Sequence, residues 1–135
     1  MNLGDYFDKK RGIGIMATSD SEGNVNAAAL SRPYMVDENT AAFIMAGHLT
    51  HKNLSSNPKA CYFFREKDSY DGNRLYLTKI KEEEDGELIE TIRKIRYPIF
   101  TTKYANESKY VVYFKVDKVL PLVADGVLKP GAKEE

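Results

Sequence analysis

Residues 41–64 read AAFIMAGHLTHKNLSSNPKACYFF, in which two apolar runs flank a short polar stretch. The runs AAFIM and ACYFF have the length and composition of β-strands. Between them, Thr50 is a natural helix N-cap, so a short helix is predicted over residues 51–57. That helix must end before Pro58, because the residue that precedes a proline disfavours the helical conformation. The stretch therefore predicts a strand, a short helix and a second strand.

Two basic residues, His51 and Lys52, would begin this helix at the positive end of its dipole, where a cation is locally unfavourable. One interpretation is a bound anion, held by the free backbone N–H groups, the Thr50 hydroxyl and both basic side chains. The other is that an exposed lysine at a helix start costs only roughly a few tenths of a kcal/mol and needs no ligand. This stretch alone leaves both interpretations open.

The rest of the chain is predicted to consist mainly of short strands. Periodicity and turn residues predict strands over residues 12–19, 25–36, 41–45, 59–66, 74–80 and 109–123, and helices over 3–10, 51–57 and 85–96. Short turns imply antiparallel pairing, and strands this short and numerous usually close into a barrel or sandwich. We therefore predict a mainly β (α+β) fold: a six-stranded antiparallel barrel with one short helix and one longer packing helix.

Two of these elements have patterns that predict which face is buried. In helix 85–96, an apolar stripe contains Leu88, Ile92 and Ile95, with Ile89 beside it. In the last strand, the alternation over residues 110–117 predicts one buried face and one mixed face.

Length and composition limit the classes of function. The chain of 135 residues has the size of one domain, with 20 Lys and Arg against 20 Asp and Glu. This balance argues against nucleic acid or an anionic membrane as a partner. No apolar stretch approaches the roughly 20 residues that span a bilayer, and no signal-peptide pattern is present, so a cytoplasmic location is expected. The domain is expected to cover residues 1–124, with a tail over 125–135, and Cys61 is expected to be a buried, inert thiol.

Three consecutive alanines, at positions 27–29, lie in the second predicted strand, although alanine is a poor strand former. They indicate either tight packing against a helix or a place where a flat group approaches the backbone. Arg32 follows, and arginine is the side chain best matched to phosphate. If strands 25–36 and 41–46 form a hairpin, Arg32 converges with the predicted helix start. A phosphate grip beside a flat apolar slot would suit a mononucleotide cofactor.

The order of these motifs resembles the pyridoxamine 5′-phosphate oxidase-like, FMN-binding split β-barrel family. The matching segments are GIGIMATSDSEGNVNAAALS, AAFIMAGHLTHKNLSSNPKACYFF and the closing KYVVYFKVDKV. The resemblance covers residues 3–123, and its most specific part is THK followed by NLSSNP.

This resemblance implies an FMN site and a homodimer with FMN at the subunit interface. In the family, the helix start holds the FMN phosphate, which implies that role for Thr50, His51 and Lys52, with Arg32 beside them. Backbone near the ends of the second and third predicted strands would line the flavin ring and the ribityl chain. The implied cofactor-binding residues are Ala29, Leu30, Ser31, Arg32, Met45, Ala46, Gly47, Thr50, His51 and Lys52.

The resemblance also implies an oxidoreductase, either a flavin reductase or an electron carrier, with an unnamed small-molecule or protein redox partner. The true oxidases of the family have basic residues near the C-terminus, whereas residues 116–130 read VDKVLPLVADGVLKP, without Arg or His. Oxidation of pyridoxamine phosphate is therefore not expected. No catalytic acid or base is identified in the sequence.

Several alternatives stay open. The chain could bind FMN without catalysing a reaction, or a deazaflavin could replace FMN, although its bulkier tail needs more room and charge. Haem would most often require a histidine ligand, and the sequence contains only His48 and His51. A metal site is not expected, because there is one cysteine and neither HxxxH nor CxxC spacing.

Overall fold

The computed structural model of the chain describes residues 2–84, 86–96 and 109–123, so the predicted tail over 125–135 lies outside the described residues. The helices are α1 (Leu3–Lys9), α2 (Leu49–Ser56) and α3 (Glu87–Arg96). The strands are β1 (Gly12–Ser19), β2 (Val25–Ala29), β3 (Tyr34–Asp37), β4 (Thr40–Met45), β5 (Lys59–Glu66), β6 (Gly72–Glu84) and β7 (Tyr110–Pro121). None of these three helices is long and apolar enough to span a bilayer.

All seven of these strands form one antiparallel sheet in the order β2-β1-β5-β6-β7-β4-β3. Strands β2 and β3 are its two edges, and within the described ranges no ladder joins them, so the sheet is not closed. The mainly β, antiparallel prediction is confirmed. The prediction of six strands is wrong, because the described residues contain seven, whereas all three predicted helices are present.

The extra strand arises because the predicted strand over residues 25–36 is two strands, β2 and β3. Pro33 lies between them, buried, and has no N–H to donate to a ladder. The Leu30 N–H donates to the Gly14 carbonyl (3.0 Å), and the Leu30 carbonyl accepts from the Tyr62 hydroxyl (3.0 Å). These bonds hold the end of β2 against β1. Strand β3 then pairs with β4, so the predicted hairpin exists only in its β3 half.

The main core lies between one face of the sheet and the helices α1 and α2. Phe7 of α1 and Leu54 of α2 are buried in it. The Phe7 and Phe64 rings meet edge to face with centroids 5.3 Å apart, and the Phe43 and Tyr62 centroids are 4.8 Å apart. Aromatic rings are the largest side chains of this core, and burial of their area is what holds α1 and α2 on the sheet.

A second cluster lies on the other side of β4 and β7, where α3 packs. Ile89 and Ile92 are buried there against Ile44 and Val111. Strand β7 is therefore buried on both faces from Val111 to Phe114, and its predicted mixed face is buried at Val111 and Tyr113 and exposed at Lys115 and Asp117. The predicted stripe of α3 is confirmed at Ile92, whereas Ile95 is 41% exposed.

On β2, β1 and β5, the sheet face opposite the main core is largely apolar and partly exposed. Directly paired residues share a face of a sheet, so the register identifies the side chains that lie together there. This surface, called the outer face below, contains the apolar residues Ile13, Ile15, Ala17, Val25, Ala27, Ala29, Cys61 and Phe63, and the polar residues Ser19 and Arg65 are paired at its two ends. Val25 is 84% and Ile13 56% exposed, and Cys61 is half-buried. Burial raises the pKa of the Cys61 thiol against the opposing charge of Arg74, which fits an unreactive thiol.

Candidate functional site

The turn between β4 and α2 differs from its prediction. Helix α2 begins at Leu49, with His48 as the N-cap, so the predicted start at residue 51 and the predicted Thr50 cap are wrong. The chain leaves β4 at Met45, which pairs with Tyr110, and it turns at Gly47 beneath the Tyr110 ring. A side chain at position 47 would come 3.1 Å from Tyr110 Cε2. This close approach starts the helix two residues early and places Thr50 inside its first turn.

The start of α2 leaves backbone donors open. His48 provides no side-chain hydrogen bond to the helix, and the first intrahelical bond runs from the Lys52 N–H to the His48 carbonyl (2.9 Å). The N–H groups of Leu49 and Thr50, and that of His51, therefore have no acceptor within the helix. Such a turn carries the partial positive charge of the helix dipole and suits an anion.

Two amide side chains that sequence reasoning missed, Asn53 and Asn26, anchor this turn. The Asn53 side-chain amide donates to the Thr18 hydroxyl (3.1 Å), and both residues are buried. The Asn26 side-chain amide donates to the Thr50 hydroxyl oxygen (3.3 Å). Because that oxygen accepts a bond, the Thr50 hydroxyl proton remains available to an anion. The only signal in the sequence was the placement of polar residues at inward positions of β1 and β2.

His51 has two protein partners instead of facing open solvent. Its Nε2 atom lies 3.1 Å from both carboxylate oxygens of Glu82, and its ring stacks on Tyr110 with centroids 4.0 Å apart. Lys79 Nζ also reaches Glu82, at 2.7 Å. Burial alone would raise the pKa of Glu82, but hydrogen bonds from Lys79 and His51, together with their charges, lower it. His51 is thus part of an ion-pair cluster on β6.

Lys52 and Arg32 have different surroundings. Lys52 is exposed, and its ammonium makes no ion pair with any residue in the described part of the chain. The Arg32 guanidinium donates to the carbonyls of Phe7 (2.7 Å) and Lys10, at the C-terminal end of α1. Cations are favoured there by the helix dipole. The Arg32 guanidinium is therefore held at the end of α1, whereas Lys52 lies in the first turn of α2.

The other predicted residues fall into two groups. Met45 is buried, Ala46 is half-buried and Gly47 is exposed, and these three lead directly into α2. Ala29 is exposed on the outer face, while Leu30 and Ser31 are half-buried at the end of β2. Asn26 touches Thr50 near the start of β2, so Ala29 lies about 10 Å farther along the strand at ~3.3 Å per residue. The first group therefore adjoins the helix start, and the second lies along the neighbouring edge strand.

A shallow depression lies elsewhere, at the turn between β3 and β4. It is lined by Asp37, Glu38, Asn39, Thr40, Ile80 and Lys115. Thr40 is at the opposite end of β4 from Met45, and none of the predicted site residues lines this depression. We therefore place the candidate site at the start of α2.

A solved structure with a stated ligand shares this architecture. The chain matches an FMN-binding protein from Syntrophomonas wolfei at 25% identity and a TM-score of 0.76, covering 91% of this chain and 85% of that one. A candidate pyridoxamine 5′-phosphate oxidase from Lactobacillus delbrueckii matches at 15% identity, with a TM-score of 0.65 over 89% of this chain and 92% of that one. The resemblance of the sequence to the pyridoxamine 5′-phosphate oxidase-like split-barrel family is therefore confirmed at the level of the fold.

Other solved structures that share the fold at lower identity have different described roles. HutZ from Vibrio cholerae, a heme storage protein, matches at 15% identity and a TM-score of 0.65, covering 90% of this chain and 95% of HutZ. An F420 reductase matches at 14% identity and a TM-score of 0.67, covering 85% and 94%. The split-barrel fold is therefore compatible with several cofactors.

Comparison of sequences adds little to the structural assignment. No protein-family model matches the chain. A 60-residue stretch, 43% of this chain, is 42% identical to a DM7 family protein from Drosophila erecta. This stretch spans only 11% of that curated relative, so it does not assign a function to the split-barrel domain.

Proposed function

We propose that this split-barrel protein is an FMN-binding flavoprotein that holds the cofactor phosphate at the first turn of α2. The observation that carries the proposal is the open helix start, where the N–H groups of residues 49–51 have no capping side chain among the described residues. The Thr50 hydroxyl and the Lys52 ammonium lie on the same turn. Together they provide directed donors and one full positive charge, which suits a phosphate monoester.

The flavin ring and ribityl chain need a flat surface next to this turn. In the proposal, the backbone of Met45–Gly47 and of Ala29–Ser31 lines them, on the two sides of the phosphate. The alanines of β2 leave room for a planar group, since Ala27 and Ala29 are exposed and present only methyl groups. The likeness to the Syntrophomonas FMN-binding protein supports this arrangement.

A second copy of the chain is proposed to complete the site. The outer face is a wide apolar surface with Val25 84% exposed, and apolar surfaces of this kind commonly mark interfaces. An isologous dimer through this face would bury it and cover the flavin beside β2. The proposed protein is therefore a cytoplasmic homodimer with one FMN at each subunit interface.

The proposed activity is oxidation–reduction, as a flavin reductase or an electron carrier. Bound FMN would supply the redox chemistry, and the residues of this chain would bind it, orient it and exclude water. Residues 116–130 contain neither Arg nor His, the basic residues that the resemblance leads one to expect at a pyridoxamine phosphate site. We therefore propose a role other than pyridoxamine phosphate oxidation.

The test compares the affinities of FMN and riboflavin, measured by quenching of flavin fluorescence. Riboflavin lacks the phosphate, so the wild type is expected to bind FMN at least about tenfold more tightly. Lys52→Ala should remove most of this difference by weakening FMN alone. Lys94→Ala, at an exposed lysine of α3, is the matched control. Equal affinities of the wild type for FMN and riboflavin would contradict the phosphate site.

Haem is the second candidate ligand, and it has a specific observation in its favour. His48 is exposed at the N-cap of α2, beside the proposed phosphate turn. A haem ligated by His48 would use the same surface, and HutZ shares the fold. A Soret band that appears on addition of haem and disappears in His48→Ala would support this candidate over FMN.

A further inference from the structure

We propose that His51 is a positioning residue for the phosphate turn and not a phosphate ligand. This inference rests on the proposed function, because it assigns a role within the same FMN site. It differs from the expectation from sequence, in which His51 grips the phosphate directly. The contacts of the imidazole ring decide between the two roles.

Both the edge and one face of the His51 ring are occupied by protein. Nε2 lies 3.1 Å from each oxygen of the Glu82 carboxylate, and the ring stacks on Tyr110 at an interplanar angle of 23°. Only 16% of the His51 side chain is exposed. An imidazole held in this way directs Nε2 towards the carboxylate of Glu82 on β6.

The partners of His51 are themselves fixed. The Glu82 carboxylate accepts a bond from Lys79 Nζ at 2.7 Å, and Tyr110 is part of the ladder between β7 and β4. The Tyr110 ring also covers Gly47, at the start of the turn. The turn over residues 47–51 is therefore held at its first residue by Tyr110 and at its last by Tyr110 and Glu82. Its open N–H groups lie between these two points.

The two possible roles of His51 predict opposite effects of Glu82→Ala on FMN affinity. A carboxylate near a bound phosphate repels it and also engages the cation that would grip it. If His51 were a phosphate ligand, Glu82→Ala would release the imidazole, remove a negative charge and tighten FMN binding. If His51 positions the turn, Glu82→Ala removes its anchor and weakens FMN binding, although the site loses a repulsive charge.

The experiment is a titration of wild type, Glu82→Ala and Glu84→Ala with FMN and with riboflavin. Glu84→Ala is the matched control, because Glu84 is an exposed glutamate on the same face of β6 and its replacement removes the same charge. We expect Glu82→Ala to weaken FMN binding by about tenfold relative to Glu84→Ala, with riboflavin affinity unchanged. Unchanged or tighter FMN binding would overturn the inference. If Glu82→Ala does not fold, a comparison of Glu82→Gln with Glu84→Gln tests the same direction of change in FMN affinity.

A second readout needs no flavin and separates this inference from the proposed function. The Lys52 N–H closes the first helical bond of α2, so its hydrogen exchange reports on the order of the turn. Exchange of this amide should accelerate in Glu82→Ala and not in Glu84→Ala. Unchanged exchange would overturn the positioning role even if the wild type binds FMN. A wild type that binds no FMN would refute the proposed function, while exchange still reports whether His51 orders the turn.

Discussion

Glu82 of β6 contacts both His51 of α2 and Lys79 of its own strand, beside the proposed phosphate turn. Burial alone would raise the pKa of its carboxyl, but the hydrogen bonds and charges of Lys79 and His51 lower it below the ordinary value of 4.5. The folded chain therefore holds this proton less tightly than the unfolded chain. A group with a lowered folded pKa stabilises the fold above its ordinary pKa, and that contribution is lost as the pH falls through the folded value.

We predict that Glu82 makes the free energy of unfolding depend on pH in the acid range. Glu82→Gln removes the titrating group, so wild type should exceed it in free energy of unfolding at neutral pH. This difference should shrink as the pH falls below 4.5. Urea unfolding of both proteins across this range measures the effect, with Glu84→Gln as the control on the same strand. A difference that stays constant down to acid unfolding would contradict the ion-pair cluster.

Single residues of the site were only partly predictable. The sequence placed Thr50 and Lys52 at the start of a helix, because capping and dipole effects act within one turn. It could not identify Glu82 or Asn26 as partners, because they are 31 and 24 residues away from His51 and Thr50. Such contacts depend on the length of β6 and the register of β2, which local patterns do not determine.

Helix α2 is the element that presents the proposed phosphate turn, and its attachment combines apolar and polar contacts. Leu54 is buried in the main core, and Asn53 bonds to Thr18 where both are buried. Burial of two polar groups costs little free energy while they are hydrogen-bonded to each other, but loss of one leaves the other without a hydrogen bond. The pair therefore fixes the rotation of α2 on β1 as well as its position.

We predict a coupled loss of stability when this pair is broken. Asn53→Leu should lower the free energy of unfolding by about 1–3 kcal/mol, because the Thr18 hydroxyl stays buried without its donor. In the Asn53→Leu variant, Thr18→Val should lower the free energy of unfolding by clearly less than it does in the wild type, since its hydrogen-bond partner is already lost. Urea midpoints of the four proteins measure the coupling. Strictly additive losses would show that the bond does not anchor the helix.

At the scale of elements, the sequence predicted well where a pattern is local and poorly where neighbours intervene. The strands β1 and β5 match the prediction at both ends, because alternation and turns bound them. The prediction of a single strand over residues 25–36 was wrong, because Pro33 divides this segment. Its first half pairs with β1 and its second half with β4. The extent to which the mixed face of β7 is buried could not be predicted, because it requires knowing that α3 packs there.

The whole molecule is an open antiparallel sheet with helices on both sides of β4 and β7 and an exposed outer face on β2, β1 and β5. Its formal net charge is zero, so no long-range repulsion opposes self-association. The sequence predicted the antiparallel, mainly β class from its short turns. The extent of the outer face could not be predicted, because it depends on which strands lack a covering helix.

We predict that the outer face forms the dimer. The wild type should sediment at about twice the chain mass of 15.3 kDa. Val25→Lys with Ala29→Lys should shift it to the monomer mass, because two charges would be buried without partners. The control is Val36→Lys, at a 48% exposed position on the other edge strand, β3. A double variant that keeps the dimer mass would exclude this face as the interface.

The measurement that tests the central claim most directly is retention of FMN by the purified protein. The protein is mixed with excess FMN, desalted, and its visible flavin absorption is compared with its protein concentration. With a phosphate site at the start of α2, we expect about one FMN retained per chain in the wild type, a large loss of FMN in Lys52→Ala and no loss in Lys94→Ala. A wild type that emerges colourless, or a Lys52→Ala variant that retains as much FMN as the wild type, would contradict a phosphate site at the start of α2.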